Sequence, residues 1–209
     1  MIVRDIVAIE IHVNPMNGSN SASCLQGWDS DVSSGVNEPC CSLEFISRHL
    51  GNNASNVSII ISSMKVSLYG TVSFSNSNKI NIVGGINGNL TNVSCDPSPY
   101  LCADNESHSS VYASNESAGF YMYNVSTITV SNLLIHACGV QTEVGNSTIY
   151  SAFQLHNCSD VTLMNVEFEH CVYNALFITN NFGNISVQHV TFLNNTMALH
   201  NDTFQLSQY

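Results

Sequence analysis

The sequence predicts an all-β chain folded as a parallel β-helix solenoid, with one short helix near its start. Three segments carry that prediction: ITVSNLLIHAC at 128–138, VTLMNVEFEHC at 161–171 and ISVQHVTFLNN at 185–195. Aligned on Ile128, Val161 and Ile185, they set up three further apolar columns: Val130, Leu163, Val187; Leu133, Val166, Val190; and Ile135, Phe168, Phe192. The next column reads Cys138, Cys171, Asn195. A second short segment lies upstream of each (GFYMY, AFQLH, ALFIT), and Ala152, Ala175 and Ala198 fall 23 residues apart. A period near 23 with short strands in every unit marks a repeat architecture. β-Branched and aromatic residues alternating with Ser, Thr and Asn suit strands, and the register of a leucine-rich repeat is not kept. Turns of about 22–24 residues stacked at the ~4.8 Å strand spacing make a parallel β-helix.

The elements follow in order. Residues 1–13 alternate like a strand, and NPMNGSNSAS after them reads as a polar loop. In SLEFISRHL, Leu43, Ile46 and Leu50 share one helical face and Gly51 supplies a stop, which predicts a capping helix over 42–50. NVSIIIS, KVSLYG, TVSFS and KINIVGG are short period-two strands. NLTNVSCDPSPYLCADNESHSSVYASNES reads as a long polar loop, and GVQTEVGNSTIY as an insertion that lengthens the first repeat interval. The chain is one domain overall: 1–56 hold the N-terminal strand, Cys-rich loop and helix, and 57–209 the coils. The last coil begins at Met197 and reaches Tyr209 without a capping element, so the solenoid is expected to be truncated here and to continue into further coils.

Charged residues make up only 9% of the chain, with a net charge of −11 from four bases and fifteen acids. An ordinary soluble protein has about 25%. Nucleic acid is excluded as a partner, because neutralising phosphates needs clustered Lys and Arg. Thirteen Asn-x-Ser/Thr sequons occur, at Asn17, Asn53, Asn56, Asn89, Asn92, Asn105, Asn115, Asn124, Asn146, Asn157, Asn184, Asn194 and Asn201. Asn157 is the weakest acceptor, since Cys158 sits inside its sequon. With eight cysteines, they predict an extracellular or cell-surface glycoprotein with disulfide bonds. MIVRDIVAIEIHV carries two acids and no cleavable apolar core, so no signal peptide is read there. The run SIII at 58–61 is far too short to span a bilayer, so no transmembrane segment is expected within these residues.

The units FYMYNVSTITVSNLLIHACG, FQLHNCSDVTLMNVEFEHC and LFITNNFGNISVQHVTFLNN resemble coils of the right-handed parallel β-helix, or pectin-lyase-like, superfamily. The strand, Cys-rich loop and short helix before them resemble the capped start of large animal ectodomain proteins of that superfamily. The resemblance implies architecture more than activity, because its members include polysaccharide lyases, glycoside hydrolases, adhesins and uncharacterised surface proteins.

Catalysis finds little support in the residues. Lyases of this superfamily resemble one another in carboxylate-bound Ca²⁺ beside a basic proton abstractor, yet residues 118–209 contain neither Lys nor Arg. The paired-Asp motifs of its hydrolases, NTD, DD and GHG, do not occur. Glu167 and Glu169 face one side of a strand at a separation that a glycosidase pair would allow, so a polysaccharide lyase or hydrolase is the alternative reading. The favoured expectation is adhesion or carbohydrate recognition without catalysis. If Phe120, Phe153, Leu176 and Leu199 point inward, Tyr121, Gln154, Phe177 and His200 form an outward column, with Tyr123, His156, Thr179 and Asp202 beside it. Rings, amides and imidazoles suit neutral sugars or another cell-surface ligand, and Tyr121, Tyr123, Gln154, His156, Phe177 and His200 are the candidate contacts.

No cofactor is expected. His136, His156, His170, His189 and His200 occupy different columns without a zinc-type spacing, so no metal is expected either. Among the cysteines, Cys24 is expected to pair with Cys40 or Cys41, Cys95 with Cys102, and Cys138 with Cys171 unless those two stay reduced; Cys158 is left over.

Overall fold

The computed structural model describes residues 9–25, 38–68, 70–85, 87–95, 119–139, 142–144, 147–149 and 151–201. Among them the chain is all-β apart from a 3-10 turn at Ala22–Leu25 and one α-helix, α1 (Leu43–Leu50). α1 forms where its apolar face and the Gly51 stop predict. The Ser42 hydroxyl accepts from the Phe45 N–H at 3.3 Å, and the Gly51 N–H closes the last turn on the Ser47 carbonyl. Leu43 and Ile46 are buried, and the helix lies against β4 (Val72–Ser75). It leads into 51–53, which bond to Ser75 at the end of β4.

The longest ladder runs β1 (Ile9–Val13), β2 (Asn56–Ile61), β5 (Lys79–Val83), β8 (Thr127–His136), β12 (Asp160–Glu169), β14 (Ile185–Leu193), all parallel. The second half of β8 also pairs with β6 (Thr91–Ser94), which pairs in turn with β3 (Lys65–Ser67). The other sheet stacks β4, β7 (Phe120–Tyr123), β11 (Ser151–His156), β13 (Asn174–Thr179) and β15 (Met197–Asn201), again in parallel. Each predicted apolar column is a row of paired residues: Ile128, Val161 and Ile185 align, as do Ile135, Phe168 and Phe192. Phe168 and Phe192 stack with centroids 5.2 Å apart, and so do Phe120 and Phe153.

One local rule turns the chain at many of its corners. Apolar residues in β8 fall at 128, 130, 133 and 135, so strict alternation slips by one position at Asn132. Asn132 has φ +58°, and its counterparts Asn165 and His189 have φ +54° and +51°. A single left-handed residue swings the chain so that the next side chain points inward again, and Asn tolerates that conformation better than most residues. The same inward, outward, left-handed, inward sequence occurs at Met122-Tyr123-Asn124-Val125, Leu155-His156-Asn157-Cys158, Ile135-His136-Ala137-Cys138 and Phe168-Glu169-His170-Cys171. Among the described residues, nine of the twelve non-glycine residues with positive φ are Asn. The richness in Asn therefore serves the backbone and not only the solvated surface.

Several expectations are corrected. The stretch read as a polar loop from Asn89 contains strand β6; Thr91 is buried there because its hydroxyl donates to the Ser63 carbonyl at 3.0 Å and accepts from the Gly85 N–H at 2.8 Å. The insertion after Gly139 contains a short antiparallel pair, β9 (Thr142–Val144) and β10 (Ser147–Ile149). Cys95 is bonded to Cys138, not to Cys102, and Cys171 is a buried free thiol. Cys24 is bonded to Cys40, one of the two expected partners. Cys41 is disulfide-bonded as well, its partner lying outside the described residues. Residues 1–8, Cys102, Asp202 and the sequons at Asn105, Asn115 and Asn146 also lie outside them, as do the side chains of His200 and Asn201. Among the described residues, β14 and β15 have a partner strand on one edge only, and Val187 is 40% exposed where its neighbour Leu163 is buried. No helix among the described residues is long and apolar enough to cross a membrane.

Candidate functional site

The outward rows on the short-strand sheet exist as rows. Tyr121, Gln154 and Phe177 are register partners across β7, β11 and β13, with Tyr123, His156 and Thr179 two residues along. Their accessibility differs from the expectation of an open binding face. Tyr121, Gln154 and Phe177 are all buried, none more than 8% exposed, and the Gln154 Oε1 has no hydrogen-bond partner among the described residues. Thr179 is buried too. His200 aligns with Phe177 through the backbone alone.

What remains open is the end of that face. Tyr123 is 38% exposed and His156 is half-buried. Their rings lie nearly parallel at 5.3 Å, and Tyr121 continues the stack at 6.4 Å from Tyr123. Beside them runs a ladder of amides, of which Asn76, Asn124 and Asn157 are left-handed. Asn157 donates to Asn124 at 3.2 Å, Asn124 to Asn76 at 2.8 Å, and Asn76 to Asn52 at 3.3 Å. Asn76, Asn124 and Asn157 each donate one N–H along the ladder and retain a second. Aromatic faces beside unspent amide donors are neutral recognition chemistry, suited to ligands with apolar ring faces and hydroxyl edges.

The acids are placed differently. Glu167 lies across from Leu134 and Thr191, whereas Glu169 lies across from His136 and Leu193. Glu169 also faces His170, so His136, Glu169 and His170 converge although the two histidines occupy different columns. Column reasoning misses this cluster, because it treats consecutive residues as pointing to opposite sides. At a left-handed corner they do not.

The two free thiols are packing groups. Burial pushes Cys158 up to about 11 and Cys171 up to about 12, against the lowering effect of nearby backbone hydrogen bonds. Both are therefore protonated near neutral pH, and neither has the activated thiolate that a nucleophile needs. Of the sequons, Asn17, Asn53, Asn89, Asn124, Asn184 and Asn194 are exposed; Asn56, Asn92 and Asn157 are half-buried. No family model, curated protein or solved structure matches the chain.

Proposed function

We propose that the chain is an N-glycosylated extracellular module of right-handed parallel β-helix, pectin-lyase-like architecture that recognises neutral carbohydrate without transforming it. The observation that carries this reading is the exposed Tyr123 ring stacked on His156 beside the Asn52, Asn76, Asn124 and Asn157 ladder. A sugar packs its C–H face on the tyrosine and sets its hydroxyls against the imidazole and the amide N–H groups. The parallel ladders, repeating corners and disulfides support the architecture and an oxidising compartment. Adhesion is the matching biological role, through a glycan on another surface.

The test is retention of the secreted chain on a panel of neutral and acidic polysaccharides, with released oligosaccharide recorded alongside. Asn124 adjoins Tyr123, so the assay is run with and without Ser126→Ala, which removes that sequon. Tyr123→Ala and His156→Ala are expected to abolish retention, while Met164→Ala, on a different strand, leaves it unchanged. Retention that survives Tyr123→Ala places the ligand elsewhere. Absence of retention on every polysaccharide leaves a spacer. Oligosaccharide release that fails in Glu167→Gln or Glu169→Gln replaces recognition with polysaccharide processing.

A further inference from the structure

The geometry points to a binding site for a divalent transition-metal ion, Zn²⁺ by its chemistry, formed by His136, Glu169 and His170. This site is independent of the glycan reading and lies on a different set of strands.

The backbone builds it. His136 ends β8 and Glu169 ends β12, and the two are register partners on adjacent passes. His170 follows in the left-handed conformation, with φ +54°, which brings its ring to the same outer corner as the Glu169 carboxylate. A backbone hydrogen bond to a neighbouring pass pins each position. The His136 carbonyl accepts from the Cys95 N–H at 3.1 Å, the Glu169 carbonyl accepts from the Ala137 N–H at 2.9 Å, and the His170 N–H donates to the Leu193 carbonyl at 3.1 Å. The Cys95–Cys138 disulfide lies two residues beyond His136. The three side chains thus project from a braced backbone.

Distances favour a shared cation over simple ion pairing. His136 Nδ1 lies 3.4 Å from Glu169 Oε2, and His170 Nδ1 lies 3.5 Å from Glu169 Oε1. A charge-assisted N–H···O bond would be about 2.7–2.9 Å. Ligand atoms around tetrahedral zinc, each about 2.0–2.1 Å from the metal, sit about 3.3 Å apart. Each imidazole already lies near that separation from one carboxylate oxygen, His136 from Oε2 and His170 from Oε1, and one ligand atom from each residue fits within 4.8 Å of the others. The imidazole planes meet edge to face with centroids 5.3 Å apart, so small rotations complete the set.

Ligand type selects the metal. Two imidazoles and one carboxylate suit zinc, copper or nickel, whereas Ca²⁺ and Mg²⁺ prefer all-oxygen shells. Zn²⁺ is the abundant, redox-inert member, and the chain's net charge of −11 favours any cation. The side chains of His136 and Glu169 are 27% and 29% exposed and that of His170 is 51% exposed, so a fourth position faces solvent and is open to water or an outside donor.

The experiment titrates Zn²⁺ alone into the full chain, prepared without a polyhistidine tag, by calorimetry at neutral pH. Co²⁺ substitution reports coordination through its visible absorption. One ion per chain is expected, with affinity falling at least tenfold in each of His136→Ala, Glu169→Gln and His170→Asn. Asn tolerates the left-handed corner at 170, so the last variant removes the imidazole without straining the fold, which far-UV circular dichroism checks. Absence of Zn²⁺ binding overturns the site, and so does binding that the three variants leave unchanged.

Discussion

Cys95 and Cys138 are joined across two passes of the chain, while Cys171, which follows Cys138 in the adjacent pass, remains a thiol. The pairing follows from register: Ser94 aligns with His136, and the Cys95 N–H donates to the His136 carbonyl. Both cysteines therefore reach the same corner together. The bond closes a separation of 43 residues, which the chain-entropy account values at about 4 kcal/mol. The double variant Cys95→Ala/Cys138→Ala is expected to lose stability of that order in urea unfolding. A loss below about 1 kcal/mol would mean that the β3–β6–β8 ladder holds this corner without the bond.

The Asn165 amide donates to Asn132 at 2.9 Å, and both residues hold a left-handed backbone. Replacing Asn165 with Ala removes the hydrogen bond and adds conformational strain, an expected loss of about 1.5–3 kcal/mol. Replacing it with Gly removes only the bond and should cost about 1 kcal/mol less. Thermal unfolding of the two variants measures the difference; equal losses would show that the corner carries no backbone strain.

Gly119 precedes β7 with φ +105°, and a Cβ there would meet the Ala152 backbone carbonyl. The contact is with main chain, so no rotamer change relieves it. Gly119→Ala is expected to destabilise the fold by at least about 2 kcal/mol. An unchanged melting temperature would rule out this close approach of β7 and β11.

Cys158 and Cys171 keep their protons in the folded chain to about pH 11 and 12, whereas an unfolded thiol ionises near 8.5. Below that unfolded value both states are protonated and the full stability is present. As pH rises the unfolded chain loses protons first, so stability falls by up to about 1.4 kcal/mol per pH unit for each thiol until the folded pKa is passed. Cys158→Ala and Cys171→Ala should each flatten that alkaline slope, measured by denaturant titrations from pH 8 upward. Iodoacetamide mapping supplies a second readout: both thiols should be modified only after denaturation. Rapid labelling of the native chain would contradict their burial.

The inward set was legible because it is periodic. Ile128, Val130, Leu133 and Ile135 recur as Val161, Leu163, Val166 and Phe168, and the structure pairs them in that register. The apolar face of SLEFISRHL and the stop at Gly51 likewise marked α1, since both are local chemistry. Even the slip between Val130 and Leu133 stood in the sequence, although its meaning became clear only with the left-handed φ at Asn132.

Other features depended on what lies beside a residue in space. β6 hides in a polar stretch because Thr91 finds its partners from distant segments. Tyr121, Gln154 and Phe177 alternate outward as expected and are buried nonetheless. Burial is set by all that packs on a face, which strand periodicity does not encode. His136, Glu169 and His170 meet because parallel register joins residues 33 positions apart and a left-handed corner turns consecutive side chains to one side. The sequence by itself determined the repeating strands 128–136, 161–169 and 185–193 and which of their residues face the core, since those choices rest on local alternation. Tertiary structure alone decided the disulfide partners, the covered rings and the histidine–carboxylate cluster, since these arise where separate passes of the chain come into contact.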